Sequence, residues 1–362
     1  MKYIVVLAGT TPWSVLIICK QAKKQGVHTL VVCSDEKYKE KLASNKYVDE
    51  AQVCLNHELV DFLMNHQGFP AREDIMLIPT TDVLCQILSE DYHKLNSRFL
   101  IGMTSPEMVD AFTDKQKAHV AAQAAGLLCP QSVILDVDNY DESLLSAMPF
   151  PVIVKPLGAA SHKALGFKFR VFFQENELKD FIKSFPGSRA HLICQEYIPG
   201  EDASCLFYVF YRKEDGTVYS CQGEKTLQSN GIMTIGTTKD DARLSDISEK
   251  FLSAVGYCGL GGIEYKVYDG KYYFIEMSTR SEGFLPVADM CGVPATDALI
   301  ADLTGCWPSV SKQVNDVRYI AGLGWVMHRL KTKKIGKLIC ELFSFLFSSK
   351  SHFVEHYVGW KY

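Results

Sequence analysis

Four polar side chains on one predicted hairpin have types and spacing that suit phosphate and metal chemistry. Glu264 lies on the first arm, and the second arm carries Glu276, Ser278 and Arg280 at two-residue spacing. Residues two apart on a strand share a face. Two glutamates on one face repel each other unless a cation lies between them, and Mg²⁺ prefers one or two carboxylates together with phosphate oxygens. The alternative is a solvated strand face on which Lys266 supplies the counter-charge.

The stretch 261–283 is predicted to form this hairpin because Val, Ile, Tyr and Phe crowd both arms around the turn Asp269-Gly270. The odd-numbered positions are apolar on both arms, and burying them together requires paired positions whose numbers add to an even number. A three-residue loop, Tyr268–Gly270 with Gly270 at positive φ, meets this requirement. We expect the same loop to put both glutamates on the opposite face.

Length and composition limit the classes of protein that the chain can represent. At 362 residues it should form two or three lobes, and 47% hydrophobic with 22% charged residues is typical of a globular protein. A net charge of −4 argues against a nucleic-acid partner. Twelve cysteines without a CxxC pair predict buried thiols in a reducing, cytoplasmic setting. Met1 leads straight into a strand, so no signal peptide is expected, nor a membrane-spanning run.

The first third of the chain has the alternating pattern of a doubly wound α/β sheet. Strands are predicted over 3–8, 28–33 and 75–79, with a helix from Pro12 to about Gln25 between the first two. The pattern lacks GxGxxG, which argues against a dinucleotide site. Helix capping is the favoured explanation of Asp82.

A capping box marks the start of the next predicted region. Thr113 is the predicted N-cap of a helix over 114–125, with Gln116 three residues later. Lys115 lies in the first turn, where the helix dipole disfavours a cation, so we expect an anion opposite it. A domain boundary is placed just before this helix, near residue 105.

Two further stretches carry candidate ligand-binding groups. A buried strand ends at Lys155-Pro156 and leads into a small-residue loop over 158–166, whose backbone N–H groups could approach phosphate oxygens while Lys155 supplies charge. Further on, Gln195 and Asp202 flank a Pro-Gly bend whose backbone could hydrogen-bond a base and its sugar. A plain hairpin loop and an acidic turn are the respective alternatives.

The tail over 329–349 begins basic and continues with apolar residues at helical spacing. It could lie on a membrane surface. Packing on its own domain is favoured because apolar helical stripes usually belong to a core. A homodimer also remains open.

These motifs, taken in order, resemble those of the ATP-grasp superfamily over roughly residues 1–310, and they are similar to amino-acid ligases of the D-aspartate ligase kind. The order is DK opening a helix, VIVKP with a small-residue loop, QEYIPGED, and E…E-x-S-x-R on a hairpin. The resemblance implies an N-terminal Rossmann-like, pre-ATP-grasp α/β domain (1–105) and a two-lobed α+β ATP-grasp domain (106–310; lobes 106–187 and 188–310) that clamps ATP. A C-terminal extension (311–362) carries the amphipathic helix.

The resemblance also implies roles for individual residues. The expected nucleotide-binding residues are Lys115, Lys155, Gly158, Ser161, Gln195, Tyr197, Ile198 and Asp202. The expected ligands of Mg²⁺, or of Mn²⁺, are Glu264, Glu276 and Ser278. Arg280, together with Lys155, would act on the reacting groups. The family usually has Asn where this chain has Ser278, and a serine hydroxyl is shorter, which puts a full two-metal arrangement in doubt.

The expected activity is therefore an ATP-dependent carboxylate–amine ligase, which converts a small carboxylate substrate to an acyl phosphate and joins it to an amine substrate. Two alternatives stay open: a nucleotide-binding protein without catalysis, suggested by Ser278, and a small-molecule kinase on the same fold. The persistence of both glutamates, both lysines and Arg280 favours the enzyme.

Overall fold

The structure is a computed structural model that describes residues 1–9, 11–229 and 231–361, and of 158–160 and 162 only the backbone. The described chain forms two compact units. The larger unit comprises Met1–Leu127, Glu201–Tyr265 and the described chain from Glu276 onward. The smaller unit comprises Leu128–Gly200 and Lys266–Ile275. The domain limits given above stay predictions.

A five-stranded parallel sheet opens the larger unit, as the sequence predicts. Its strands are β1 (Tyr3–Leu7), β2 (His28–Cys33), β3 (Glu50–Val53), β4 (Ile75–Pro79) and β5 (Leu100–Ile101), in the order β3-β2-β1-β4-β5. The helices of this region are α1 (Pro12–Lys24), α2 (Glu36–Ala43), α3 (Leu59–Asn65), α4 (Asp82–Glu90), α5 (Tyr92–Asn96), α6 (Pro106–Thr113) and α7 (Lys115–Ala124). The central strand β1 is buried along its whole length, as expected for parallel strands covered on both faces.

The start of α7 differs by one residue from the predicted capping box. Asp114, not Thr113, is the N-cap, and its carboxylate accepts hydrogen bonds from the backbone N–H groups of Gln116 and Lys117. Thr113 instead ends α6. Aspartate and threonine are both good N-caps, so sequence alone could not choose between adjacent ones.

The smaller unit is built on a four-stranded antiparallel sheet. Its strands are β6 (Ser132–Asp136), β7 (Val152–Pro156), β8 (Arg170–Phe172) and β9 (His191–Glu196), in the order β6-β9-β7-β8. Its helices are α8 (Glu142–Ser146), α9 (Gly158–Leu165) and α10 (Glu175–Lys183). The predicted small-residue loop over 158–166 is wrong, because most of it is α9. Its small residues include several alanines, which are the best helix formers.

A seven-stranded, mainly antiparallel sheet follows along the chain. Its strands are β10 (Cys205–Arg212), β11 (Val218–Ser229), β12 (Ile232–Thr238), β13 (Gly259–Tyr268), β14 (Lys271–Ser278), β15 (Arg318–Ile320) and β16 (Ser351–Phe353), in the order β14-β13-β10-β11-β12-β15-β16. The remaining helices are α11 (Ala242–Ala254), α12 (Pro286–Met290), α13 (Ala295–Thr304), α14 (Gly322–Lys331), α15 (Ile335–Leu346) and α16 (Val354–Tyr357).

The β13–β14 hairpin exists, but its predicted three-residue loop is wrong. Only Asp269 and Gly270 separate the strands, with φ of 48° and 67°. Positive φ at both positions is the geometry of a type I′ turn, whose twist matches that of the strands. Gly270 has the positive φ that the sequence predicts.

The error came from assuming that one apolar set is buried on both arms of the hairpin. On β13 the odd positions Ile263 and Tyr265 are buried, as expected. On β14 the odd position Met277 is buried as expected, but the even position Phe274 is buried as well, and Tyr273 and Ile275 are only partly buried. Simple alternation therefore does not describe burial on β14, and it could not determine the length of the loop.

None of the twelve cysteines forms a disulfide bond, and they are not all buried. Cys129, Cys205 and Cys258 are partly exposed, and Cys306 and Cys340 are exposed, which corrects the expectation of uniformly buried thiols. Among the described residues, no helix is both long and apolar enough to span a membrane.

The tail departs from the favoured expectation that its apolar stripe packs on its own domain. On α15 only Phe345 is fully buried and Leu338 is half-buried. The exposed apolar side chains of this helix are Ile335, Ile339, Leu342, Phe343 and Leu346. A buried ion pair fixes α15 to α14, with Arg329 Nε donating to Glu341 at 2.8 Å and Trp325 Nε1 donating to the same carboxylate at 2.7 Å.

We expect Glu341→Gln to loosen α15 by about 2 kcal/mol, because it leaves the buried Arg329 without its counter-charge. Amide exchange in α15 should then become about 30-fold faster at neutral pH. Burial favours a higher pKa for Glu341, but Arg329 and Trp325 hold that pKa below its ordinary value. The stabilisation should be complete above the unfolded pKa of Glu341 and disappear as pH falls through the folded one.

Hydrogen exchange measured by mass spectrometry tests this, with the exposed Glu58→Gln as the control. Equal exchange in α15 of the wild type and Glu341→Gln would contradict the assignment.

Candidate active site

A buried lysine–glutamate pair lies at the centre of the charged residues of the larger unit. Lys225 on β11 is 2% exposed, and its ammonium bonds to the carboxylate of Glu264 on β13. Burial alone would lower the pKa of Lys225, but the charges of Glu264, Glu282 and Glu276 raise it above its ordinary value. Lys225 therefore stays charged in the interior because carboxylates surround it.

Three carboxylates lie within electrostatic reach of one another around this lysine. Burial raises the pKa of Glu264 to about 7; Lys225 opposes the rise, and the charges of Glu276 and Glu282 add to it. Burial is thus the main cause of the raised pKa of Glu264, and the neighbouring carboxylates act in the same direction. Glu282 packs closely here, since a Cβ added to Gly262 would lie 2.9 Å from Glu282 Cγ.

Glu276 has a second lysine as its partner. Lys115 Nζ lies 3.1 Å from Glu276 Oε2, and both side chains are about half-exposed. The anion that the sequence predicts opposite Lys115 is thus Glu276. This pair joins the first turn of α7 to the end of β14.

Arg280 is held between two carboxylates just after β14. Its Nε and Nη2 donate to Asp82 at 3.0 and 3.4 Å, and Nη1 donates to Glu282 at 3.1 Å. Nη1 also donates to the Ser281 carbonyl at 3.2 Å. A guanidinium has five N–H groups, and one of them, on Nη2, has no acceptor within the described chain.

Asp82 does not act as the cap that the sequence analysis favoured. Thr81 is the N-cap of α4, its hydroxyl accepting from Leu84 N, and Asp82 is the first helical residue. The Asp82 carboxylate instead bonds to Arg280. The end of β4 and the end of β14 thus meet at one ion pair.

The side chains predicted to bind a metal suit a hard divalent cation that also has other ligands. Glu264, Glu276 and Ser278 offer only oxygen atoms, the type that Mg²⁺ prefers. Burial is the largest cause of the raised pKa of Glu264, and a cation would offset the further rise that comes from the charges of Glu276 and Glu282. Among the described residues no three His, Cys, Asp or Glu side chains enclose a metal by themselves.

The predicted residues of the smaller unit cluster around β7 and β9. Lys155 on β7 pairs with Ile193 of β9, and Gln195 on β9 pairs with Ile153 of β7. The Gln195 side chain is buried. Just beyond β9 the Tyr197 N–H donates to the Pro151 carbonyl at 2.9 Å, whereas the Ile198 N–H donates no hydrogen bond within the described chain.

Of three other residues predicted to bind the nucleotide, two accept hydrogen bonds from the backbone and the third is a glycine at the start of a helix. Ser161 on α9 is buried, and its hydroxyl accepts from His191 N at 3.0 Å. Gly158 is described through its backbone alone, as the first residue of α9. In the larger unit, the Asp202 carboxylate accepts from Gln228 N at 2.8 Å. A role for any of them in nucleotide binding stays a prediction.

The sequence analysis missed Lys225, Asp82 and Glu282 as members of the charged site. Lys225 had a detectable signal, because Tyr219, Cys221 and Leu227 mark the odd positions of β11 as its buried face. A lysine in that series indicates a buried, paired charge.

Comparison with known proteins defines the class, which is the ATP-grasp fold with its N-terminal α/β region. The biotin carboxylase of Campylobacter jejuni, solved as a complex with β-γ-ATP, superposes with a TM-score of 0.66 over 87% of this chain and 74% of that one, at 20% identity. This structural similarity confirms the fold class that the sequence predicts. No family model matches the chain.

Two curated relatives of this chain are ligases. The D-aspartate ligase of Enterococcus faecium is 23% identical over 225 residues, covering 57% of this chain and 53% of that protein. The D-alanine–D-alanine ligase of Neisseria gonorrhoeae is 23% identical over 187 residues, covering 46% and 57%. The chain spans about half the length of these relatives.

Proposed function

We propose that this protein is an ATP-dependent carboxylate–amine ligase acting on amino acids. The main support is the charged cluster of the larger unit, where three carboxylates, two lysines and Arg280 meet on an ATP-grasp fold. The names of the D-aspartate and D-alanine–D-alanine ligases support amino acids as the substrate class.

The reaction would have two chemical steps. A carboxylate oxygen of the first substrate attacks the γ-phosphorus of ATP, giving an acyl phosphate and releasing ADP. The amine of the second substrate then attacks the acyl carbon, and phosphate leaves with the oxygen that came from the carboxylate. The amine loses a proton as the C–N bond forms.

The chain's own residues would mainly position these groups and balance their charge. Lys115 and Lys155 would hold phosphate oxygens, beside the backbone of Gly158 and the hydroxyl of Ser161. The adenine and ribose would contact the residues Gln195, Tyr197, Ile198 and Asp202. Because the Tyr197 N–H already donates to Pro151, we propose the Ile198 N–H as the backbone donor to adenine.

Glu264, Glu276 and Ser278 would hold Mg²⁺, or Mn²⁺, which when bound would offset the negative charge of the phosphate groups. Arg280 would bind the substrate carboxylate through its remaining Nη2 N–H while Asp82 and Glu282 fix its plane. The two carboxylates thereby orient the guanidinium before substrate arrives.

Measuring ADP release with pools of L- and D-amino acids tests this proposal. We expect release to require two amino acids, one as carboxylate and one as amine. Release that needs only one substrate and forms a stable phosphorylated product would indicate a kinase. No stimulation by any pool would contradict an amino-acid ligase.

We expect Ser278→Asn to remain active and to need no more Mg²⁺ than the wild type, because the amide oxygen reaches further than the hydroxyl. Ser278→Ala, which removes the oxygen, should raise the Mg²⁺ concentration for half-maximal ADP formation by about tenfold. Loss of activity in a folded Ser278→Asn protein would instead make Ser278 a substrate contact.

A further inference from the structure

The pair of helices α14 and α15 exposes an apolar surface that the ligase chemistry does not use. On α15 it includes Phe343, 59% exposed, and Leu346, 63% exposed. On α14 it includes Leu323, Met327 and Leu330, which lie one turn apart along one side of the helix. The complete surface, called here the tail face, consists of Leu323, Met327, Leu330, Ile335, Ile339, Leu342, Phe343, Leu346 and Phe347.

The tail face lies on helices that are already anchored through their other sides. The Trp325 and Phe345 rings pack with centroids 5.1 Å apart, and the Arg329–Glu341 pair lies on the same side. Residues 325 and 329 on one helix, and 341 and 345 on the other, are one turn apart. The contacts that hold the pair together therefore leave the tail face outward.

The charges beside the tail face are almost all positive. Lys331, Lys333, Lys334 and Lys337 are exposed at the junction of the two helices. None of these four lysines forms an ion pair with a described residue. Glu341 is the only acidic residue in 322–349, and Arg329 neutralises it. This segment is thus basic although the whole chain carries a net charge of −4.

We propose that the tail face docks on an anionic lipid surface, with its apolar side chains among the acyl chains and its lysines at the headgroups. An apolar face flanked by lysines is the pattern of helices that lie in a membrane interface. α15 has 12 residues, short of the roughly 20 that a spanning helix needs, so it would lie along the surface. This proposal does not depend on the ligase activity.

A second copy of this chain is a poorer match for the tail face. A two-fold interface joins the same patch on both subunits, so the lysines of one copy would approach those of the other. Within 322–349 the one carboxylate that could offset them is already paired. Anionic headgroups supply the missing opposite charge.

Vesicle flotation with the full-length protein tests the proposal. We expect the protein to float with vesicles containing phosphatidylserine at least about tenfold better than with phosphatidylcholine alone, and less well at high salt. Phe343→Glu should lower binding at least about tenfold. Phe173→Glu, which changes an equally exposed phenylalanine in the smaller unit, should bind like the wild type.

A charge-reversal variant tests the attraction of the lysines to anionic lipid separately from the burial of the apolar side chains. Lys334→Glu with Lys337→Glu places acids at the N-cap and in the first turn of α15, where the helix dipole favours them, so the helix should persist while binding is lost. Lys24→Glu with Lys37→Glu makes the same change in net charge elsewhere and should have no effect. Equal flotation with neutral and anionic vesicles would overturn the proposal, as would no flotation with either. So would a dimer that Phe343→Glu converts to a monomer without any change in flotation.

Discussion

Glu276→Ala should lower ADP formation at least about 100-fold while leaving the fold intact. The expected loss is of the size found when one charge-stabilising group is removed from an active site. Glu276 would hold Mg²⁺, and it forms an ion pair with Lys115 at 3.1 Å, both side chains being about half-exposed. Such exposed pairs contribute at most about 1 kcal/mol to stability. Activity should therefore fall without unfolding.

ADP release at saturating Mg²⁺, with thermal unfolding measured alongside, tests this expectation. Glu214→Ala, an exposed glutamate between β10 and β11, is the matched control and should retain full activity. Near-normal turnover of Glu276→Ala would remove Glu276 from the metal site.

Lys225→Met should have the largest effect on stability, about 3–5 kcal/mol, because it leaves Glu264 without its buried partner. The repulsion from Glu276 and Glu282 would then act on Glu264 without opposition. Methionine keeps most of the volume of the lysine, so the loss would come from charge and not from a cavity. Urea unfolding should show the difference directly.

A double variant tests whether the lost stability comes from leaving the Glu264 carboxylate unpaired or from removing the lysine itself. Lys225→Met with Glu264→Gln removes both charges and should recover most of the lost stability, although not activity. Lys239→Met, at an exposed lysine paired with Glu224, should change stability by less than about 1 kcal/mol. A Lys225→Met protein as stable as the wild type would show that Lys225 does not compensate Glu264.

The sequence predicts those elements whose pattern is local. Strands β2 and β4 appear where they are predicted, and the parallel sheet follows from alternating strands and helices. The order of motifs also sufficed to recognise the ATP-grasp fold. The order of the motifs along the chain, and not any single motif, identified the fold.

Features that depend on contacts distant in sequence were harder to predict. The Asp82–Arg280 pair joins residues 198 positions apart, and capping gave Asp82 a sufficient local explanation. Alternation on β13 was correct, but burial of Phe274 on β14 made the loop prediction wrong. The stripe on α15 predicts an amphipathic helix, yet sequence alone could not show that its apolar side lies outward.

The most direct test of the proposed ligase reaction is to follow the carboxylate oxygen into the released phosphate. The amino acid that serves as carboxylate substrate would be labelled with ¹⁸O in its carboxylate, and the released phosphate would be analysed by mass spectrometry. An acyl phosphate transfers one carboxylate oxygen to phosphate, so we predict one ¹⁸O in each phosphate released with product. Phosphate without ¹⁸O, formed together with a C–N product, would contradict carboxylate activation by phosphoryl transfer.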